Sequence, residues 1–180
     1  MENKTFDLMY FENHFHNGKC MMKVDGATAY LSENDDCYLM RFYPDDDNPC
    51  CRQLRFDPVT LRMVEEGCFL YNGSERIGEW VEYDQEGHVS KRTDYDKEHY
   101  PLKWGQIAEI LKNNNVGFAD MQIVMRMVKP DGRGVWIVLA FRKPYVQEKI
   151  TIDGIDGTIL SWDEKQFRSE SNLKGNKAQA

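Results

Sequence analysis

The sequence predicts an α+β protein: mainly antiparallel β-sheet built from consecutive hairpins, followed by one amphipathic helix packed on a three- to four-stranded antiparallel sheet. Three observations carry this. Up to Tyr95, short runs rich in β-branched and aromatic residues alternate with turn residues about every ten positions. From Tyr100 the apolar residues recur at spacings of three and four. From Met121 apolar runs return, divided by Pro130-Asp131-Gly132 and by Asp153-Gly154-Ile155-Asp156-Gly157.

In chain order, residues 5–17 carry Phe6, Leu8, Met9, Tyr10, Phe11 and Phe15 among polar neighbours, a pattern that fits a short helix or a strand. Residues 20–24 and 28–31 form a hairpin around Asp25-Gly26, a pair that readily takes the positive φ of a tight turn. Residues 37–43 make a third strand. Pro44-Asp45-Asp46-Asp47-Asn48-Pro49 is a loop, because proline lacks a ladder donor and the like charges repel one another. Short strands follow at 53–56, 61–65, 68–71 (before Asn72-Gly73), 78–83 and, past the turn at 84–87, 88–95. Leu102, Gln106, Ile107, Ile110 and Leu111 define a helix over 101–113, with Pro101 suited to its first turn and Gly117 marking the turn after it. Strands are expected at 121–128, 135–142, 149–152 and 158–162. Beyond Asp163 the chain is polar, and 175–180 is expected to fray. The chain thus divides into an all-β hairpin region, 1–98, a helix-plus-sheet region, 99–163, and a polar tail, 164–180.

Composition narrows the functional classes. The chain has 180 residues and a formal charge of -7. That balance opposes general nucleic-acid binding and electrostatic membrane binding, both of which need a cationic surface. No apolar run approaches the roughly 20 residues of a transmembrane helix. Met1-Glu2-Asn3-Lys4 lacks the basic-then-apolar order of a signal peptide, which favours the cytoplasm. The five cysteines, Cys20, Cys37, Cys50, Cys51 and Cys68, are odd in number and contain no CxxC, so reduced thiols are expected.

The middle of the chain has a distinct grammar. Gly78-x-Trp80-x-x-Tyr83-x-x-x-Gly87 runs on to Tyr95, with weaker copies around 67–73 and 56–67. Stacked hairpins of this kind bury aromatics between neighbouring units. Across residues 54–96 the pattern resembles the MORN-like repeat of bacterial antitoxin- or immunity-like proteins (the YwqK type). That resemblance implies a protein-binding, inhibitory role. The ending Lys149-Ile150-x-Ile152-Asp153, with Gly157 and Ile159, resembles the close of a PepSY-like module, which implies an inhibitory or accessory part without an active site.

A search for chemistry returns little. His14-x-His16 would share a strand face and hold a metal beside Glu12, but neither HExxH nor paired CxxC accompanies it. Asp45-Asp46-Asp47-Asn48 lacks the glycine and the late bidentate acid of a calcium loop. Gly132-Arg133-Gly134 connects strand to strand, where a phosphate loop needs a following helix. Cys20 lies near His16 in sequence only, and no serine has triad partners around it. No catalytic residue, metal ligand or cofactor is therefore assigned.

The expectation is a non-enzymatic protein-binding protein of the immunity or antitoxin kind that occludes a basic toxin. Steering by acidic side chains would speed the encounter. The candidate contact residues are Glu33, Asp35, Asp36, Asp45, Asp46, Asp47, Glu65 and Glu66, with Trp80 as either an aromatic anchor or a core residue. A PepSY-like accessory or structural module, and an enzyme with an unrecognised site, remain as alternatives.

Overall fold

A computed structural model describes residues 5–16, 20–24, 26–70, 75–96 and 100–167. The Asp25 half of the first turn, Asn72-Gly73 and the tail from 168 lie outside the described residues. The first sheet is a seven-stranded antiparallel meander in sequence order, β1 (Cys20–Val24), β2 (Ala27–Asn34), β3 (Cys37–Pro44), β4 (Cys50–Phe56), β5 (Met63–Leu70), β6 (Glu75–Tyr83) and β7 (Val89–Asp94). The helices are α1 (Leu8–His14) and α2 (Trp104–Asn113). The second sheet has four antiparallel strands, β8 (Met121–Val128), β9 (Gly134–Lys143), β10 (Val146–Asp153) and β11 (Ile159–Gln166), ordered β11-β10-β9-β8.

The hairpin series and the helix-then-sheet order match expectation, with local differences. The strands expected at 61–65 and 68–71 are not separate where they are described: β5 runs through Gly67 to Leu70 without a turn, and Tyr71 lies outside the described residues. Helix α2 begins at Trp104 rather than Pro101, because Gln106 Oε1 accepts a hydrogen bond from Lys103 N and closes the first turn there. Strand β11 extends to Gln166, into the segment read as tail. The region 1–98 is not wholly β, since residues 8–14 are helical.

That first helix has a physical reason. Asp7 caps it by accepting from Tyr10 N at 2.8 Å. Phe6 N donates to Leu61 O at 2.8 Å, tying the entering chain to the β4–β5 loop. Phe6 and Phe11 then bury on one face of the first sheet with Leu31, Leu54 and Phe56, and Phe6 stacks on Tyr38 with ring centroids 4.5 Å apart. The helix thus covers the end of the sheet that begins with β1.

A second core joins the two halves. Leu70 and Ile77 of the first sheet bury with Tyr100, with Trp104, Ile107 and Leu111 of α2, and with Trp136, Val138, Ile150 and Ile152 of the second sheet. The α2 side fits closely against the β10–β11 turn. A Cβ on Gly157, whose φ is +78°, would meet Ile110 at 2.6 Å, so only glycine suits that position.

Polar groups lock the same junction. Arg126 on β8 pairs with Asp96 at 2.8 Å, and both side chains are 6% exposed. Its guanidinium also donates to the carbonyl oxygens of Tyr95 and Arg76 and lies over the rings of Tyr100 and Trp136. Its backbone N–H donates to Glu75 Oε2 at 2.7 Å, so this position on the edge of β8 is closed by a side chain of the other sheet. In the second sheet, Glu148 is fully buried and receives Arg142 at 2.7 Å and Trp162 Nε1 at 3.2 Å, all at Oε2.

Candidate functional site

The meander decides where the candidate acids lie. Loops β1–β2 and β3–β4 fall at one end of the sheet, and loops β2–β3, β4–β5 and β6–β7 at the other. Glu33, Asp35 and Asp36 therefore sit at the end opposite Asp45, Asp46 and Asp47. The intervening strand β3 has eight residues, roughly 24 Å at about 3.4 Å per residue. The acids do not form one face.

Glu65 and Glu66 are adjacent on a strand and point to opposite sides of it. Glu65 is buried and pairs with Arg76 at 2.7 Å. Glu66 pairs with Arg52 at 2.5 Å and accepts from the Tyr83 hydroxyl at 2.5 Å. Burial, and then the Glu66 hydrogen bond, push Tyr83 up to about 12 and keep its proton in place as the donor. Both glutamates serve the sheet internally.

Trp80 is 3% exposed, which removes it as a surface anchor. Its indole covers Gly67, where an added Cβ would meet ring carbons at 2.2 to 2.5 Å. Trp80 Nε1 donates to Cys68 O at 2.9 Å, and the Arg76 guanidinium stacks 4.0 Å from the ring centroid. Tyr95 meets Trp80 edge-on at 6.4 Å. Trp80 is thus a packing residue, whose ring on β6 fills the space that Gly67 leaves on β5, while Gly78 of its own strand meets no such crowding and has a φ of +63°.

His14 and His16 do not share a strand face. His14 closes α1, its Nδ1 lies 2.9 Å from Tyr10 O, and its ring stacks on Tyr10 at 4.1 Å. Among the described residues, no three His, Cys, Asp or Glu gather as metal ligands. No helix of the described residues is long and apolar enough to cross a membrane.

The β3–β4 loop borders a sizeable cleft. Asp45 is tied down by Lys23 at 2.7 Å and Thr28 at 3.2 Å, and the Lys23 hydrogen bond lowers its carboxyl below the usual range. Asp46 Oδ1 accepts from Asn48 N at 3.1 Å. Asn48 Oδ1 accepts from Cys50 N and from Trp104 Nε1, each at 3.0 Å. That last bond fastens the loop to the start of α2. Between the loop and the C-terminal half of α2 opens a cleft of about 640 Å³. Asp46 and Glu109 line it with Lys112, and Ala108, Val116 and Phe118 form its apolar wall. Two carboxylates against one ammonium leave it anionic, and its apolar wall suits the stem of a long cationic side chain.

A second cleft, of about 400 Å³, lies on the first sheet between the two covered ends. Arg52, Glu66, Cys68, Glu79, Tyr83 and Arg92 line it. Its charges pair internally, Arg52 with Glu66 and Arg92 with Glu79.

Glu109, Val116 and Phe118 were not marked by sequence reasoning. Phe118 follows Gly117 just past the helix, but nothing local shows that a loop 56 residues from Trp104 would close over it. Comparison with known proteins adds no relative: no family model, no curated protein and no solved structure matches the chain.

Proposed function

We propose that this chain is a non-enzymatic protein-binding protein of the immunity or antitoxin kind, working in the cytoplasm, and that it engages a basic partner at the cleft between the β3–β4 loop and α2. The supporting observation is the placement of Asp46 and Glu109 across an apolar wall, with Asp47 exposed on the loop beside it. A lysine or arginine of the partner would lay its stem on Ala108 and Phe118 and its charge between the two carboxylates. Acidic side chains around the entrance would raise the encounter rate above the neutral range of about 10⁵–10⁶ M⁻¹s⁻¹ at low salt. Occlusion follows if the basic segment taken up belongs to the partner's own working surface.

The test removes charge without altering shape. Asp46→Asn keeps an oxygen that can cap Asn48, and Asp47→Asn suits the positive φ of 60° at that position. With Glu109→Gln, two charges leave the cleft and one leaves the loop beside it, while the outline stays the same. The wild-type chain and this triple variant are immobilised and exposed to native lysate, captured protein is identified by mass, and association with it is timed across salt concentrations. A basic protein that binds the variant at least ten-fold more slowly at low salt supports the reading. Equal capture by both proteins, or a rate indifferent to salt, refutes it.

A further inference from the structure

Cys50 on β4 and Cys68 on β5 stand apart from the other three cysteines. The register sets Cys50 opposite Leu70 and Cys68 opposite Arg52, so the two cysteines are diagonal neighbours on one face of the sheet. Cys51 points to the other face and is fully buried. Both Cys50 and Cys68 are half-buried, and their thiols share a hydrogen bond. Cys68 also borders the open cleft of about 400 Å³, so a small solute reaches one member of the pair.

The surroundings differentiate the two sulfurs. The Cys50 hydrogen bond and the Arg52 guanidinium lower Cys68 to about 7, against burial and the charge of Glu66. The Cys68 hydrogen bond and burial push Cys50 up, with Asp96 adding to the effect. Thus the sulfur that borders the cleft is the one favoured as thiolate, and its neighbour is the one favoured as thiol.

We propose that Cys50 and Cys68 form an oxidisable dithiol, with Cys68 the sulfur that attacks a hydroperoxide and Cys50 the thiol that resolves it to a cross-strand disulfide. In the first step the Cys68 thiolate forms an S–O bond as the O–O bond breaks, and the departing oxygen leaves as alkoxide or hydroxide and takes a proton from water. In the second, Cys50 attacks the sulfenic sulfur. The S–S bond forms, the S–O bond breaks, and the oxygen leaves as water with the Cys50 proton. One peroxide is reduced by two electrons, and each sulfur ends oxidised by one.

Diagonal cross-strand Cα atoms lie about 7–8 Å apart, whereas disulfides favour up to about 6.8 Å. Closure therefore draws β4 and β5 together by roughly 1 Å. It does so beside Gly67, where the β5–β6 ladder is already irregular, and next to the Arg52–Glu66 pair that floors the cleft.

The experiment treats the full chain and its Cys50→Ser and Cys68→Ser variants with one to ten equivalents of hydrogen peroxide. Samples are alkylated and mapped by mass, and circular dichroism checks that the variants are folded. The wild type should lose two hydrogens, give a linked Cys50–Cys68 peptide, and recover on addition of dithiothreitol. Cys50→Ser should stop at a sulfenic acid on Cys68 that dimedone traps, and Cys68→Ser should leave Cys50 reduced over the same interval. Iodoacetamide should label Cys68 about three-fold faster at pH 7 than an ordinary thiol, since a roughly 16-fold gain in thiolate is offset by lower intrinsic nucleophilicity. Oxidation of Cys68→Ser at the wild-type rate, a linked peptide through Cys20, Cys37 or Cys51, or no loss of hydrogens in the wild type would each overturn the proposal.

Discussion

Replacing Arg126 by methionine tests what holds the two sheets together. Met keeps the apolar stem that packs under Tyr100 and Trp136 and removes the charge. The Asp96 carboxylate, whose side chain is 6% exposed, then loses its counter-ion. Glu75 is 34% exposed on its side chain and can turn toward water, so Asp96 carries most of the penalty. Stranding one buried member of an ion pair costs about 3–5 kcal/mol, and the carbonyls of Tyr95 and Arg76 lose their donors as well. With a urea slope of about 2 kcal/mol per molar, the unfolding midpoint should fall by roughly 1.5–2.5 M. The assay is urea denaturation followed by tryptophan fluorescence and far-ultraviolet circular dichroism. Because the second core contains residues of both sheets, the two probes should coincide in the wild type and separate in the variant. Arg126→Met combined with Asp96→Leu should recover much of the loss, since an apolar pair leaves no stranded charge. A midpoint shift below about 0.5 M, the range of a surface pair, would refute the reasoning. So would a double variant as unstable as the sum of its parts.

Three further outcomes follow from the same geometry. Gly67→Ala puts a methyl inside the Trp80 indole and should cost at least about 2 kcal/mol by overpacking, read in the same urea titration; a loss under about 0.5 kcal/mol would show that the ring moves aside freely. Arg142→Met keeps an apolar stem but strands the fully buried Glu148 carboxylate without its counter-charge, and a loss of about 3 kcal/mol is expected, visible as a lowered midpoint in a thermal melt. Asp57 and Asp156 are held below the ordinary carboxylate range by the backbone N–H groups of Thr60 and Thr158. Their contribution is present above the unfolded value near 3.9 and is lost as pH falls through the lower folded values. Asp57→Asn/Asp156→Asn should therefore flatten the fall in stability below about pH 4, and an acid limb identical to the wild type's would contradict this.

Much of the chain's acidity turns out to be engaged in its own turns. Asp46, Asp57, Asp84, Asp94, Asp131, Asp153 and Asp156 each accept from a backbone N–H within four residues. These bonds fix each carboxylate in place without neutralising it, so the net charge of -7 is held at defined positions. The proposed cleft relies on a small number of carboxylates in a defined place, not on the bulk charge.

Features under short-range control were legible in the order of residues. Turn residues recurring between apolar runs dictated the order of hairpins, since a glycine, asparagine or aspartate acts on its own backbone. The spacing of Ile107, Ile110 and Leu111 dictated a helix, because helical period is a property of neighbours. Gly87 marked a backbone turn, whereas only the fold revealed that Trp80 spends its ring on Gly67. Tertiary structure decided the rest. Residues 8–14 carry no decisive period, and their helix depends on Asp7 and on an apolar sheet face for Phe11 to cover. The candidate acids were split between opposite ends because hairpin direction alternates, a long-range consequence that composition cannot register. The cleft, the Arg126–Asp96 lock and the Cys50–Cys68 pair each join residues far apart in sequence. Their proximity comes from strand register and from two sheets sharing one core, and no single segment carries that information.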